Sequence, residues 1–452
     1  MIIFEKVVEI YQNYYICPHC LGRMFSLLAT ETTNYERGYS LLLTLTMENH
    51  RKFLSSSDND KNDAVEILKL LAENAAFSPA IRVLAREGLE TNSEHLPKEC
   101  YLCNEIFSNL KPYVVAANEE VKELEFDNFL IGSSIDSAII NREDAFKAKF
   151  NLIHAESFKT HFNRELGKQL SPVLTKPTDF NNPHVTIIFQ LGFENFKIDL
   201  LIRSLFISGR YNKYIRGIPQ THWDCRICRG KGCEACNGTG KQYAESVEEL
   251  INPEFLLSSK ATDSKFHGAG REDIDVKMLG TGRPFVLELK NPKVRSLNLL
   301  KIQKKINRKN RKKIKITDLS FSNKNKVKML KINAENTRKT YRAIVRAETS
   351  LDKQKFNSLL NSLKHKLENQ QIEQRTPNRV SHRRADKYRK KMVYSIQGDY
   401  LKSNLFEFII DTQGGTYIKE LINGDIGRTI PSFSDIFGIN LQCDELDVLK
   451  IY

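Results

Sequence analysis

The chain has 452 residues, with 69 Lys and Arg against 55 Asp and Glu, a net charge of +14. Hydrophobic content of 40% and charged content of 27% exclude a disordered chain, and no apolar run approaches the ~20 residues of a membrane helix. The start, Met1-Ile2-Ile3-Phe4-Glu5-Lys6, lacks a basic flank followed by an apolar segment, which predicts a cytoplasmic protein without a secretory leader; the basic excess favours a polyanionic partner.

Taken in chain order, the first signal is cysteine. Eight of nine cysteines fall into four CxxC pairs, which in a reducing compartment point to metal rather than to disulfides. Cys17-Pro-His-Cys20 and Cys100-Tyr-Leu-Cys103 flank two helical stretches, 35–53 and 62–76, the second with Val65, Ile67, Leu68, Leu70 and Leu71 at helical spacing. A shared Cys₄ zinc site would clip both ends of this segment into one domain, 1–105. His19 is a rival ligand, but the CxxC turn favours sulfur. The alternatives are unrelated free thiols, or a redox pair, for which the βαβ context is missing.

Residues 106–220 read as α+β. Phe129-Leu130-Ile131-Gly132 predicts a strand, 142–168 a helix with Phe146, Phe150, Ile153 and Phe158 on its apolar side, and 183–190 and 196–202 alternate as strands. The closing segment interleaves Arg210, Lys213 and Arg216 with Tyr211 and Tyr214, which suits RNA or a charge-shielded edge strand. Together the layout is similar to a THUMP RNA-binding domain. Next, at 221–244, Cys225, Cys228, Cys233 and Cys236 form two CxxC turns threaded with glycines. This spacing wraps one tetrahedral zinc with four thiolates. It resembles the knuckles of J-domain chaperones but occurs once, as a structural staple. Cys443 stands alone.

The third block, 245–452, opens with a helix at 245–257. Strands are predicted at 272–279, 284–290, 339–347 and 404–412, and helices at 350–369 and 415–423. Residues 301–315 carry nine basic side chains, among them Lys305, Arg308, Lys309 and Arg311, and no acid. A second cluster runs from Arg375 through Arg379, Arg383 and Arg384 to Lys391. Both read as flexible basic loops suited to a phosphate backbone.

Three elements of this block carry chemistry. His267-Gly268-Ala269-Gly270-Arg271-Glu272-Asp273-Ile274-Asp275 places three carboxylates on a glycine-bearing turn before a buried strand. Arg338-Lys339-Thr340-Tyr341 puts a tyrosine at a strand start. Gly414-Gly415-Thr416-Tyr417-Ile418-Lys419 leads glycines into a helix with an early lysine. Together they offer a carboxylate nucleophile, an aromatic for stacking and a cation; separately each is ordinary surface or core. Neither a P-loop nor a Rossmann fingerprint is present.

The R-x-D-x-x-V pattern with the later tyrosine and Gly-Thr-Tyr-Ile-Lys resembles the active-site motifs of RNA pseudouridine synthases. The string Gly-Arg-Glu-Asp-Ile-Asp-Val, continued by Met-Leu-Gly-Thr-Gly-Arg-Pro-Phe, and the string 377–386 resemble more closely the archaeal and eukaryotic family that makes pseudouridine 54 and 55 in the T arm of tRNA; the knuckle points to its archaeal branch. The resemblance covers nearly the whole chain. It implies a multidomain α+β protein: an N-terminal zinc domain, a THUMP-like domain, the knuckle, and a catalytic domain of mixed antiparallel sheet with flanking helices. The basic loops become a forefinger (296–325) and a thumb (375–393). It implies Asp273 as nucleophile, with Asp275 its rival, Tyr341 as the active-site tyrosine and Lys419 as the aspartate's basic partner. Arg271 would help flip the target or hold a phosphate, and Tyr417 would contact the substrate RNA. The expected cofactor is structural zinc, with two ions and no organic cofactor, and the expected partner is tRNA bound by a monomer. The rivals are a non-catalytic zinc-containing RNA-binding protein and another THUMP-bearing tRNA enzyme.

Overall fold

The computed structural model describes residues 3–55, 58–91, 99–333 and 337–452. The chain divides into two compact units, Met1–Arg203 and Ser204–Tyr452.

The first unit begins with five helices, α1 (Ile3–Asn13), α2 (Pro18–Met24), α3 (Asn34–Ser55), α4 (Asp58–Glu73) and α5 (Ser78–Arg86). Helices α2 and α3 cross backbone to backbone. A Cβ on Gly22 would stand 1.8 Å from the Asn34 carbonyl oxygen and one on Gly38 1.9 Å from that of Pro18, so only glycine fits at either position. After α6 (Lys111–Val121) come β1 (Phe129–Ile135), α7 (Ser137–Lys149), α8 (Phe158–Leu174), β2 (Val185–Leu191) and β3 (Phe196–Ile202). Strand β2 pairs in parallel with β1 and antiparallel with β3. The buried residues of β1 and β2 alternate, as half-buried strands require. One apolar core runs continuously from Val7 to Leu191.

The single helix expected over 142–168 is two. Asn151 adopts φ +48° just beyond the end of α7, and the Ser157 hydroxyl caps α8 by accepting from the Thr160 amide. The apolar spacing continues across this break, but the stop and start signals between the halves override it.

The second unit holds β4 (Leu205–Lys213), α9 (Val247–Ser259), β5 (Asp263–Gly268), β6 (Lys277–Lys290), α10 (Leu299–Lys309), β7 (Ile314–Ser322), α11 (Lys324–Asn333), β8 (Arg338–Ala347), α12 (Lys353–Leu367), β9 (Gln370–Arg375), β10 (Tyr388–Lys402), β11 (Leu405–Gln413), α13 (Ile418–Asn423), β12 (Thr429–Ile430), α14 (Phe433–Phe437) and β13 (Leu441–Ile451). Among the described residues ten strands form one sheet, ordered β12-β9-β10-β11-β8-β13-β6-β4-β7, with β5 paired to β6. It is antiparallel except where β13 runs parallel to β6, a mixed sheet with helices against it.

Two expectations need correction. Strand β4, which the sequence suggests as the end of the 106–220 segment, pairs with β6 and β7 in this sheet; the break lies at Arg203, not 220. The basic run 301–315 is not a flexible loop. Ile302 and Ile306 are buried, one helical turn apart, and Ile314 and Ile316 alternate into the core. The run is therefore α10, a turn and the start of β7, with its cations on the outer face. Asn298 caps α10, and Arg308 and Lys309 sit in its last turn, where the helix dipole favours positive charge. Nine cations suggest mutual repulsion, but the isoleucines set among and after them decide the fold of the run. No helix is long and apolar enough to cross a membrane among the described residues.

A candidate active site on the ten-stranded sheet

The turn 269–276 joins β5 to β6, whose strands pair from Asp263↔Lys290 to Gly268↔Phe285. It is a hairpin connection, as its local sequence suggests, but its charges do not simply face water. Strand β6 begins only at Lys277, later than the expected 272–279.

Glu272 is 6% exposed. Its carboxylate meets Arg283 Nε at 2.8 Å, and the Tyr211 hydroxyl donates to it, 2.8 and 2.9 Å from its two oxygens. Lys213 Nζ stands 3.9 Å away and donates to the backbone oxygens of Ile218, Asp273 and Ile274. Gln220 donates to the Tyr211 oxygen and to the Gly270 carbonyl, and Arg283 donates to the Ala269 carbonyl at 2.8 Å. Burial, reinforced by the Glu272 charge, pushes the Tyr211 phenol well above its ordinary range, so it stays a donor. Gly270 sits at φ +77° directly under Arg283. Nearly every polar atom of the turn's floor is thus fixed by a buried partner.

That floor aims the next residue outward. The Asp273 carboxylate is one-third exposed and meets Arg379 at 2.8 Å. The same guanidinium donates through Nε to the buried Glu420 at 2.6 Å. Asp275 instead pairs with Lys419 at 2.6 Å; burial alone would raise its pKa, but the Lys419 contact outweighs that and holds it below the usual carboxylate value. Lys419 therefore pairs with Asp275, and the cation on Asp273 is Arg379.

Tyr341 lies on β8, nearly buried, and burial pushes its phenol up to about 12 against the opposing charge of Arg283. Tyr417 precedes α13, its backbone fixed from both sides by the Gln374 amide, and its hydroxyl accepts from Arg384 at 3.0 Å. Arg271 lies 4.5 Å from the centre of the Trp223 ring, a cation–π contact.

These residues surround one cavity of about 420 Å³, whose walls include Arg271, Asp273, Tyr341, Arg379, Arg384, Tyr417 and Lys419. Its basic side chains are Arg271, Arg283, Lys331, Lys339, Arg379, Arg384 and Lys419, and among the described residues its acids are Glu272 and Asp273 alone. Such a lining attracts a polyanion. Lys305, Arg308, Lys309 and Arg311 do not line it. They sit on α10 and the turn after it, Lys305 paired with Glu254 at 2.5 Å. The Arg383 side chain lies outside the described residues. The segment read as a thumb is short and tied down, with Arg375 and Arg428 both on Asp386.

Tyr211 and Lys213, which in the sequence look like RNA contacts, are buried instead in the floor of this turn. Sequence reasoning missed Gln220, Trp223, Arg283, Lys339 and Glu420. Arg283, Lys339, Glu420 and Gln220 stand inside or beside the motifs above, but their partners become visible only when distant strands are neighbours.

Both cysteine quartets assemble. The Sγ atoms of Cys17, Cys20, Cys100 and Cys103 all lie within 4.8 Å of one another, as do those of Cys225, Cys228, Cys233 and Cys236. Separations such as Cys17–Cys103 at 3.7 Å and Cys228–Cys236 at 3.8 Å match the ~3.8 Å edge of a tetrahedron with metal–sulfur bonds of ~2.3 Å. The amides of Gly232, Cys233 and Gly240 donate to sulfurs of the second set at 3.2 Å, which suits thiolates. Each set can hold a metal ion. His19 joins neither; its ring lies against Tyr35.

Residues 206–452 match the family model "Pus10, C-terminal", and residues 113–190 match "Pus10 THUMP domain, archaeal". Curated relatives named tRNA pseudouridine synthase Pus10 align almost end to end. The protein from Methanocaldococcus jannaschii is 44% identical over 98% of this chain and 93% of its own length. Those from Methanothermobacter marburgensis and Methanothrix thermoacetophila are 39% and 37% identical, covering 96% and 99% of this chain and 95% and 94% of their own. With more than half of the chain matched by one family model, the protein belongs to the Pus10 family of tRNA pseudouridine synthases.

Proposed function

We propose that this protein isomerises uridine to pseudouridine at positions 54 and 55, or one of them, in the T arm of tRNA, with Asp273 as the nucleophile. The observation that carries this reading is the placement of Asp273. It is partly exposed at a strongly basic cavity of about 420 Å³ and shares that cavity with Tyr341, while the turn beneath is locked by the Glu272 network.

The reaction breaks the bond between ribose C1′ and uracil N1, turns the ring, and joins C5 to C1′. The target must first leave the base stack, at a cost of a few kcal/mol. Tyr341 supplies a ring for it to stack on, worth about 1–3 kcal/mol, and its hydroxyl stays protonated at working pH. Arg379, itself oriented by Glu420, fixes the direction of the Asp273 carboxylate and balances its charge. Lys419 does the same for Asp275, which places Lys419 one carboxylate away from its expected partner. Arg271, Arg384 and Tyr417 line the cavity and would contact the backbone of a flipped nucleotide. The outer face of α10, with Arg308, Lys309 and Arg311, suits the phosphates of a longer duplex stem. The isomerisation is redox-neutral, so its chemistry calls for no redox or nucleotide cofactor. The two cysteine quartets would each hold zinc as a structural clip.

The test is incubation of the purified protein with an unmodified tRNA transcript, followed by mapping of pseudouridine. New pseudouridine in the T arm is expected; binding without any new pseudouridine would refute the reading. Metal analysis of the same sample is expected to find one zinc ion for each of the two quartets.

A further inference from the structure

One cation of the cavity has no place in the scheme above. Lys339 and Tyr341 are two residues apart on β8 and so face the same side of the sheet. Lys339 is 6% exposed and lines the cavity with Asp273. Its Nζ lies over the turn: a methyl group on Gly270 would stand 3.6 Å from it.

Among the described residues, every nearby carboxylate is engaged elsewhere. Glu272 is held by Arg283 and Tyr211, Asp273 and Glu420 by Arg379, and Asp275 by Lys419. The other buried lysines have oxygens to donate to: three carbonyls around Lys213 and the Gly414 carbonyl for Lys391. The Lys339 ammonium has neither a salt bridge nor a hydrogen bond among the described residues, although its backbone pairs in the sheet. A buried ammonium without a counter-charge is costly, and such a cost points to a partner that arrives with the substrate. Phosphates are served by cations nearer the rim, such as Lys331 and Arg384, which are exposed. On the reading above, the depth beside Tyr341 would take the base.

Building on the uridine isomerisation proposed above, we infer that Lys339 is a further catalytic residue, whose ammonium hydrogen-bonds a carbonyl oxygen of the uracil and carries the negative charge the ring gathers as it detaches. When the C1′–N1 bond breaks, its electron pair goes to the ring and is shared by the two carbonyls. As N1 departs, an Asp273 oxygen bonds C1′. After the ring turns, C5 uses a pair to bond C1′ and displaces the Asp273 oxygen, the C5 proton leaves to a carboxylate or water, and N1 takes up a proton, so the product is an isomer of the substrate. Lys339 only donates a hydrogen bond, so atoms and charge balance without it changing composition.

The groups facing this amine are Arg283 from β6, Glu272 and Asp273 from the turn, Lys391 from β10, Arg379 and Tyr341. Burial, then the Arg283 charge, bring the Lys339 amine down to about 8. Lowered in this way, it is charged at neutral pH and loses its proton as pH rises through 8.

The decisive experiment is single-turnover conversion of a saturating tRNA transcript by full-length wild type, Lys339→Gln and Lys339→Arg across pH 6–10, with RNA affinity measured on the same samples. Lys339→Gln is expected to lose at least ~100-fold in rate, the scale of removing one donor to a developing anion, while affinity changes by less than about threefold. Lys339→Arg, which keeps its charge throughout that range, is expected to recover at least about a tenth of the rate and to lack the fall expected of wild type above pH 8. The inference is overturned if Lys339→Gln turns over like wild type, if its rate and affinity fall in equal proportion, or if Lys339→Arg keeps the wild-type alkaline fall. That last outcome decides even if Lys339→Gln does not fold. Wild type forming no pseudouridine would instead refute the functional reading; an active wild type matched by Lys339→Gln refutes this inference alone.

Discussion

The floor and the mouth of the cavity are built from adjacent residues and follow opposite rules. At the floor, Glu272 is buried and its carboxylate is tied to Arg283 and Tyr211, with Lys213 close by. At the mouth, one residue later, Asp273 is one-third exposed and is held by a single guanidinium. A buried pair of this kind is costly to assemble and costlier to break; what it gives is a fixed geometry for its neighbour. The same contrast separates the two cysteine quartets: the first is fully buried in an apolar core, while three of the four cysteines in the second are partly exposed.

The contrast between floor and mouth breaks most readily at its centre. Asp273→Asn is expected to lower turnover by about three orders of magnitude or more, as loss of one member of a catalytic group does, while chemical denaturation moves by no more than about 0.5 kcal/mol. If Asp275→Asn abolishes turnover and Asp273→Asn does not, the nucleophile has been assigned to the wrong carboxylate. Glu272→Gln should show the reverse pattern. Leaving Arg283 and Lys213 buried without their counter-charge is expected to cost about 3–5 kcal/mol, read as a lower urea midpoint; a stability within error of wild type would remove the distinction between floor and mouth.

Two smaller effects sharpen it. Arg379→Gln frees the Asp273 carboxylate to swing, and a misplacement of ~1 Å can cost about a hundredfold in rate; a loss of that order in kcat with unchanged RNA affinity is expected. Lys419→Met removes only the partner of a largely exposed Asp275 and should matter least for stability, within about 1 kcal/mol. If its kcat falls as far as that of Asp273→Asn, Lys419 turns from Asp275 to Asp273 during the reaction, and the role expected from sequence is restored.

Periodicity and spacing made much of this molecule legible. The helices at either end of the 35–76 stretch, strands β1 to β3 and β8, and both cysteine quartets followed from local pattern. A CxxC turn, or an alternation such as Val185, Ile187, Phe189 and Leu191 along β2, needs only its near neighbours to be recognised. The motif around Asp273 was equally legible as a string. Its division of roles rested on the family resemblance; local chemistry does not separate Glu272 from Asp273, and it is the fold that buries one and leaves the other partly exposed.

The sequence by itself determined which residues could carry chemistry: a carboxylate-rich turn, a strand-borne tyrosine, a glycine-led lysine and two sets of thiols. Only the tertiary structure decided their pairing. It set Arg379 rather than Lys419 on Asp273, folded a basic run into an amphipathic helix around Ile302 and Ile306, moved β4 into the large sheet, and left the amine of Lys339 beside Tyr341. The physical reason is common to all four. Charge partners and burial are fixed by strands and loops far apart in the chain, here β4, β6, β8 and the 378–383 turn, and local sequence carries no record of which of them will meet.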